Sequence, residues 1–271
     1  MERAEIRALF SAKKVCVLVP TYNNERTLEK VLTGILHYTD QVIVVNDGST
    51  DATGRLLGNF SEIDLVSYSS NQGKGFALRQ GFERAREIGY EYVITIDSDG
   101  QHFPDELPKF LMELETHPAA ILIGARNMDQ ESVPGKSSFG HKFSNFWFWV
   151  ETGLRLQDTQ SGYRLYPILL IKEINFLTKK FEFEIEVLVR AAWQGIEIAH
   201  VPVQVFYAEA GKRVSHFRPF RDFTRISILN TVLVTIALFY IKPRDLIRSL
   251  KKKVLGIFSG NNYSTTQNLT L

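Results

Sequence analysis

An α/β fold, with a mostly parallel sheet and helices on both faces, is what this sequence predicts, and three features predict it. Short β-branched runs alternate with amphipathic stretches through the first half of the chain. Polar loops follow the apolar runs in a regular way. The 271 residues, 44% hydrophobic, suffice for one sizeable α/β domain and an appendage. Strand–helix–strand order of this kind implies parallel pairing through crossover helices.

The elements run as follows. "MERAEIRALFSAKK" mixes acids with bases and has no long apolar centre, so it reads as a short leading helix and not as a secretory signal. "KVCVLVP" is a strand, and "ERTLEKVLTGILHY" carries apolar residues at helical spacing. "QVIVVND" is a strand, "DATGRLLGNF" a short helix and "IDLVSYS" a strand. "GFALRQGFERAREIG" is a helix and "YEYVITID" a strand. "PDELPKFLMELETH" is a helix opened by Pro104, and "AAILIGAR" is a strand. The second half is less regular: "SSFGHKFSNFWFWVETG" is aromatic-rich, "LQDTQSGYRLYP" is a turn-rich loop, "FEFEIEVLVRAAWQG" is a helix, and "IEIAHVPVQVFY" is strand and extended chain. Composition shifts from Ala208 onward. The expected division is a catalytic α/β domain over 1–210, a basic and hydrophobic helical segment over 211–256 that associates with a membrane, and a disordered tail over 257–271.

Bulk composition excludes several function classes. A formal net charge of +2 argues against a general nucleic-acid binder. The single cysteine, Cys16, lies in an apolar run, so no intrachain disulfide forms, which fits a reducing compartment. The histidines lack zinc-ligand spacing, and no Gly-x-Ser-x-Gly elbow is present.

Chemistry concentrates in the loops after strands, which a parallel sheet gathers at its C-terminal edge, where α/β folds bind ligands. In "TIDSDGQHFP", Asp97 and Asp99 are spaced by two. If extended geometry lasts to Asp99 they face one side and suit a hard divalent cation, Mg²⁺ or Mn²⁺. A solvated turn is the plain alternative. An EF-hand would need Glu where Pro108 stands, and a haloacid-dehalogenase-like phosphatase would carry Thr or Val where Gln101 stands. "VVNDGSTD" offers Asp47 to a nucleobase or ribose, or else a helix cap through Ser49 or Asp51. "PTYNNE" presents Tyr22, Asn24 and Glu25 on a strand-to-helix turn that can hold a base or a phosphate. "NQGKG" sets Lys74 between glycines, either beside a nucleotide or in a capping loop. Arg126 ends a strand, Asp158 and Gln160 share a Gly-containing loop, and Lys212, Arg213, Arg218, Arg221 and Arg225 cluster with little acid, suited to phosphates or lipid head groups.

Taken in order, "VLVPTYNNERTL", "VIVVNDGSTDAT", "NQGKGFALRQGF", "VITIDSDGQHFPDEL", "LIGAR" and "DTQSGYRLY" resemble family 2 glycosyltransferases, and among them the dolichol-phosphate mannosyltransferase-like, polyprenyl-phosphate group. The resemblance covers Val15 to Tyr207. It implies a GT-A fold, a GDP- or UDP-sugar donor and a divalent metal. By the resemblance, Pro20, Tyr22, Glu25 and Asp47 line the nucleoside pocket with Lys74 beside it. Asp97 and Asp99 are the Asp-x-Asp metal pair, Asp99 more directly, with Gln101 alongside. Arg126 approaches donor or acceptor phosphates, and Asp158 lies near the reacting sugar. Asn46 stands where many members carry a second acid. "QxxRW" of the processive synthases is absent, which argues for a single transfer. The family chemistry is inverting displacement, and the acceptor is a polyprenyl phosphate or a hydroxyl on a glycan or glycolipid; the remaining alternative, an inactive nucleotide-binding scaffold, is argued against by the intact Asp97 and Asp99 pair. A lipid phosphate needs no base, since its second pKa is near ~6 by analogy with phosphoserine. A hydroxyl acceptor would make Asp158 the leading base.

Ile226 to Ile241 is uncharged and mostly apolar, flanked by Arg225 and Lys242. A span usually takes about 20 apolar residues, so this stretch is short for one. "FRPFRDFTR" suits an interfacial helix on anionic lipid, and "FSNFWFWV" adds aromatic potential. The expected location is the cytoplasmic face of the membrane, peripheral or shallowly inserted. The alternative is a core helix with a hydrophobic homo-oligomer contact.

Overall fold

The computed structural model describes residues 2–126, 135–206, 218–248 and 250–251. Its strands are β1 (Val15–Thr21), β2 (Val42–Asp47), β3 (Asp64–Tyr68), β4 (Tyr92–Thr95), β5 (Ile121–Arg126), β6 (Arg164–Pro167) and β7 (Ile198–Val203). They form one sheet in the order β3-β2-β1-β4-β6-β5-β7. The pairings are parallel except at β6, which runs antiparallel to both β4 and β5. This is the GT-A arrangement the sequence implied, with helices on both faces.

Strand β1 is buried along its whole length, as befits an inner strand paired on both sides by β2 and β4. Its side chains alternate between two cores, as strand geometry requires. Val15, Val17 and Val19 pack with α1 (Arg3–Ala12), α2 (Leu28–Leu36) and α5 (Leu107–Thr116). Cys16 and Leu18 pack with α4 (Lys74–Ile88), α6 (Gly135–Thr152), α8 (Phe183–Trp193) and α9 (Pro219–Ile236) on the other face. Two short helices, α3 (Thr53–Leu57) and α7 (Ile168–Ile171), complete the set. Gly81 sets the approach of α4 to the sheet: a Cβ there would stand 2.3 Å from a Leu18 methyl.

Two sequence expectations change. "LQDTQSGYRLYP" is not all loop, because its last four residues are β6. Arg164 opens that strand and is fully buried, which disguises the strand as polar turn. Its guanidinium donates to Ser161 O (2.6 Å), Thr159 O (2.9 Å), Glu184 O (2.7 Å) and Tyr166 OH (3.1 Å). One cation thereby satisfies two carbonyls of a tight buried turn and ties that turn to a carbonyl in the first turn of α8. The second change concerns length. The helix begun by α9 continues from Phe220 to Arg248, 29 residues long and apolar enough to cross a membrane by length and composition. Its turn at Ala237–Ile241 is π-helical, just ahead of Pro243, which has no N–H to donate. Leu229, Leu233, Ala237 and Ile241, at steps of four, are buried, and Leu229 and Leu233 join the core. The opposite stripe, including Ile228, Val232, Leu238 and Phe239, is exposed. A helix packed along the domain on one face lies beside it rather than projecting away.

Arg164→Ala should lower the unfolding free energy by about 3 kcal/mol or more, because buried carbonyls lose a charged donor together. Urea denaturation of wild type and variant reads this as a fall in midpoint at constant slope.

Candidate active site

A cavity of about 420 Å³ opens at the C-terminal edge of the sheet. It brings together the predicted residues Pro20, Tyr22, Asn24, Asp47, Lys74, Asp97 and Asp99. Lys180, Arg218, Arg221, Asp222 and Arg225 add a wall from the second half of the chain. Glu25, Gln101, Arg126 and Gln160 are not among the lining residues, and Lys212 and Arg213 lie outside the described residues.

The acidic pair is built by a turn, not by an extended strand, since β4 ends at Thr95. Ser98, between the two acids, is buried and bolted to the β1 loop. Its hydroxyl donates to Pro20 O (3.1 Å) and accepts from Asn24 Nδ2 (2.7 Å), while its carbonyl accepts from Thr27 Oγ1 (2.6 Å). Asp99 Oδ1 accepts from the Gln101 backbone N–H at 2.9 Å, and Gln101 O accepts from Phe206 N. The Gln101 backbone thus ties the Asp99 turn to the chain after β7.

Lys74 answers the self-repulsion of the pair. Its ammonium lies 2.7 Å from Asp97 Oδ1 and 3.0 Å from Glu184 Oε2. Burial alone would raise the Asp97 carboxyl, but the Lys74 ammonium, together with His102 and Arg164 behind it, holds Asp97 below the usual range. Burial would likewise depress Lys74, and its two acidic partners instead raise it. Gly162 lets the β6 loop close on this pair, since a Cβ there would meet Asp97 Oδ2 at 2.6 Å. Glu184 and Arg164 are site residues that sequence reasoning missed. The available signal was charge inside apolar runs, "FEFEIEV" and "YRLY".

Asp47 is largely engaged by the chain itself. It accepts from Gln72 N (2.7 Å), Gly73 N (2.8 Å) and Asn71 Nδ2 (3.0 Å), fixing the loop that delivers Lys74. Burial raises its pKa, and the backbone donors pull the other way. Gly48 follows with φ +68, where a Cβ would stand 2.4 Å from Ser70 C. Glu25 accepts from Ala52 N (2.9 Å) and Asp51 from Thr53 N (2.9 Å), so both cap the turn before α3. Asn46 accepts from Ser49 N (3.1 Å) and is buried, a structural role at the departing position.

A second cluster sits behind the first. Arg126 donates to both oxygens of the fully buried Asp158, at 2.6 and 2.9 Å. Asp158 Oδ1 also accepts from Gln160 N (3.0 Å) and Ser161 N (3.2 Å). Burial would raise this carboxyl, but the Arg126 bonds and charge hold it below the usual range. His102 is buried in the field of both clusters: burial lowers its pKa to about 4 against the pull of Asp97, leaving a neutral ring.

The glycosyl transferase family 2 model matches residues 16–167. The chain belongs to glycosyltransferase family 2. Among similar proteins is a UDP-N-acetylglucosamine–dolichyl-phosphate N-acetylglucosaminyltransferase of Methanococcus voltae, 25% identical, covering 73% of this chain and 87% of that one. The polyprenol monophosphomannose synthase of Mycolicibacterium smegmatis is 28% identical over 73% and 80%. The human dolichyl-phosphate beta-glucosyltransferase is 30% identical over 74% and 70%. Glucosyl-3-phosphoglycerate synthase from Mycobacterium tuberculosis, with Mn²⁺ and UDP-glucose, shares the fold at TM-score 0.66 and 21% identity, covering 88% of this chain and 83% of that one. The protein is thus a glycosyltransferase of GT-A fold.

Because its folded pKa is depressed, Asp158 contributes its full stability above an unfolded pKa of about 3.9. That contribution is lost as pH falls through the depressed folded value. The stability difference between wild type and Asp158→Asn should be flat above about pH 4 and shrink below it, as measured by denaturant titrations across pH.

Proposed function

We propose that this glycosyltransferase moves one sugar from a nucleoside-diphosphate sugar to a polyprenyl phosphate at a membrane surface. The state of Asp158 carries the acceptor class. A general base needs a free lone pair and a pKa near the working pH. Asp158 has both oxygens engaged by Arg126 and backbone donors and a depressed pKa. It suits orienting Arg126 rather than taking a proton. A phosphate acceptor, ionised at neutral pH, requires no such base. The polyprenyl-phosphate relatives support the same class.

Asp97 and Asp99 fit a divalent cation. Among the described residues no group of three or more His, Cys, Asp and Glu gathers as a metal site. Two carboxylates plus substrate phosphates and water are what Mg²⁺ commonly takes. When bound, the ion would stabilise the negative charge of the departing nucleoside diphosphate. Lys74 keeps Asp97 charged in its absence. Arg221 and Arg225 give the cavity a cationic wall for phosphates. An acceptor phosphate oxygen forms the new bond to the anomeric carbon from the face opposite the leaving group. The bond from that carbon to the diphosphate oxygen breaks with its electron pair, so configuration inverts and no proton moves. Pro20, Tyr22 and Asn24, which line the cavity with Asp47, would hold the nucleoside. The helix Phe220–Arg248, packed on the domain along one stripe, supports an interfacial position, and its basic flanks fit the cytoplasmic leaflet.

Purified full-length protein, given a panel of labelled nucleotide sugars, should label polyprenyl phosphate and leave neutral polyprenol unlabelled. Label in polyprenol or in water-soluble glycan would overturn the acceptor assignment in favour of a hydroxyl. Asp99→Ala should lower kcat/KM by about 100-fold or more. It should also remove the strengthening of nucleoside-diphosphate binding by Mn²⁺ in calorimetry. If that strengthening survives, the metal assignment is wrong.

A further inference from the structure

Helix α6 buries Phe148 in the core, yet the rest of its pattern is not that of a helix with one face in water. Its buried positions include Ser144 and Glu151, and among the described residues neither carboxylate oxygen of Glu151 has a hydrogen-bond partner. Its outward positions carry rings. Phe146 and Trp149 are 52% and 42% exposed. A helix whose outer face met water would place these the other way.

The rings form a continuous strip that crosses to α9. Phe223 lies 5.2 Å from Phe143, Phe143 lies 6.1 Å from Trp147, Trp147 lies 5.4 Å from Phe146, and Phe146 lies 6.1 Å from Trp149, centroid to centroid. The Arg155 guanidinium ends the strip, 5.6 Å from the Trp149 centroid. Phe220, 93% exposed, extends it at the α9 end. The acids of both segments, Glu151 and Asp222, are buried, whereas Lys142, Arg155, Arg218 and Arg221 are exposed. The charge facing outward around the rings is therefore all basic. That combination of aromatic rings and basic rim matches the headgroup–acyl boundary of an anionic bilayer. A second copy of the chain would bring like charges together.

We propose that the α6 strip and the first turns of α9 form one docking face that inserts its rings into an anionic lipid surface. The inference rests on the membrane reading above and adds to it the face and its orientation. Its consequence for the reaction is geometric. Phe223 belongs to the strip, while Arg221, Asp222 and Arg225, from the same stretch of α9, line the cavity. Asp222 caps α9 by accepting from Arg218 N at 2.7 Å, which holds that stretch to one orientation. Docking the rings thus sets the cationic wall of the cavity at phosphate level, where a lipid-borne phosphate can reach it.

Trp149 reports directly on this face. The full-length Trp147→Phe/Trp193→Phe variant retains one of the three tryptophans. On vesicles of phosphatidylcholine and phosphatidylglycerol with brominated acyl chains, its fluorescence should be quenched, and less so without phosphatidylglycerol. Phe146→Ser/Trp149→Ser, which changes exposed positions only, should weaken vesicle partitioning about tenfold or more with an unchanged melting temperature. Co-sedimentation with vesicles but no quenching and no loss in the double Ser variant would overturn the face and leave the membrane reading standing. Failure of wild type to bind vesicles at all would overturn the membrane reading itself. A dimer in sedimentation with Trp149 shielded from brominated lipid would replace the face with self-association.

Discussion

One ammonium group ties the site together. Lys74 Nζ sits between Asp97, on the loop after β4, and Glu184, on α8, and so joins the loop edge of the sheet to the helix layer beside it. Two acids spaced by two would repel each other in a partly buried cavity unless a cation shared their field. Much of the neighbourhood serves to deliver that cation. Asp47 collects the donors of Asn71, Gln72 and Gly73 and fixes the loop from which Lys74 starts α4. Gly162 leaves room for the β6 loop to cover the pair. Arg164 pins the same loop from below through Ser161 and Thr159.

The two ion pairs divide the work. Lys74–Asp97 borders the cavity and keeps a carboxylate charged at its edge. Arg126–Asp158 is buried more deeply and holds a guanidinium in a fixed plane by a bidentate bond. Breaking either by removing one partner would strand a charge in a low-dielectric setting, the costly direction for a buried pair. His102 is neutral in the field of both, so it adds no third charge between the two pairs.

The fold also decides where the site faces. α9 contributes apolar residues to the core on one stripe, cations to the cavity at its start, and rings to the α6 strip on another side. A phosphate on a lipid lies at a membrane's polar boundary, and the cavity wall made by Arg221 and Arg225 adjoins the rings suited to that boundary. The cationic cavity wall and part of the aromatic strip are properties of one helix.

The strand-and-helix order through β5 was legible in the sequence because each element there carries its own period and its own turn residues. The six motifs in order were enough for the family, since loops after parallel strands must meet at one edge of the sheet. By itself the sequence therefore determined the α/β class, the family and the convergence of Asp47, Lys74, Asp97 and Asp99. Only the tertiary structure decided that "RLYP" is a strand, because what makes four residues with an arginine into a buried strand is the set of carbonyls around them. It alone decided that Glu184 partners Lys74 across more than a hundred residues of chain. It alone decided that Glu25 and Asn46 serve turns rather than the cavity, that Asp158 is saturated with donors, and that Phe146 and Trp149 of α6 point outward while Phe148 joins the core. Each of those depends on what lies opposite a side chain in space, and no local spacing encodes that.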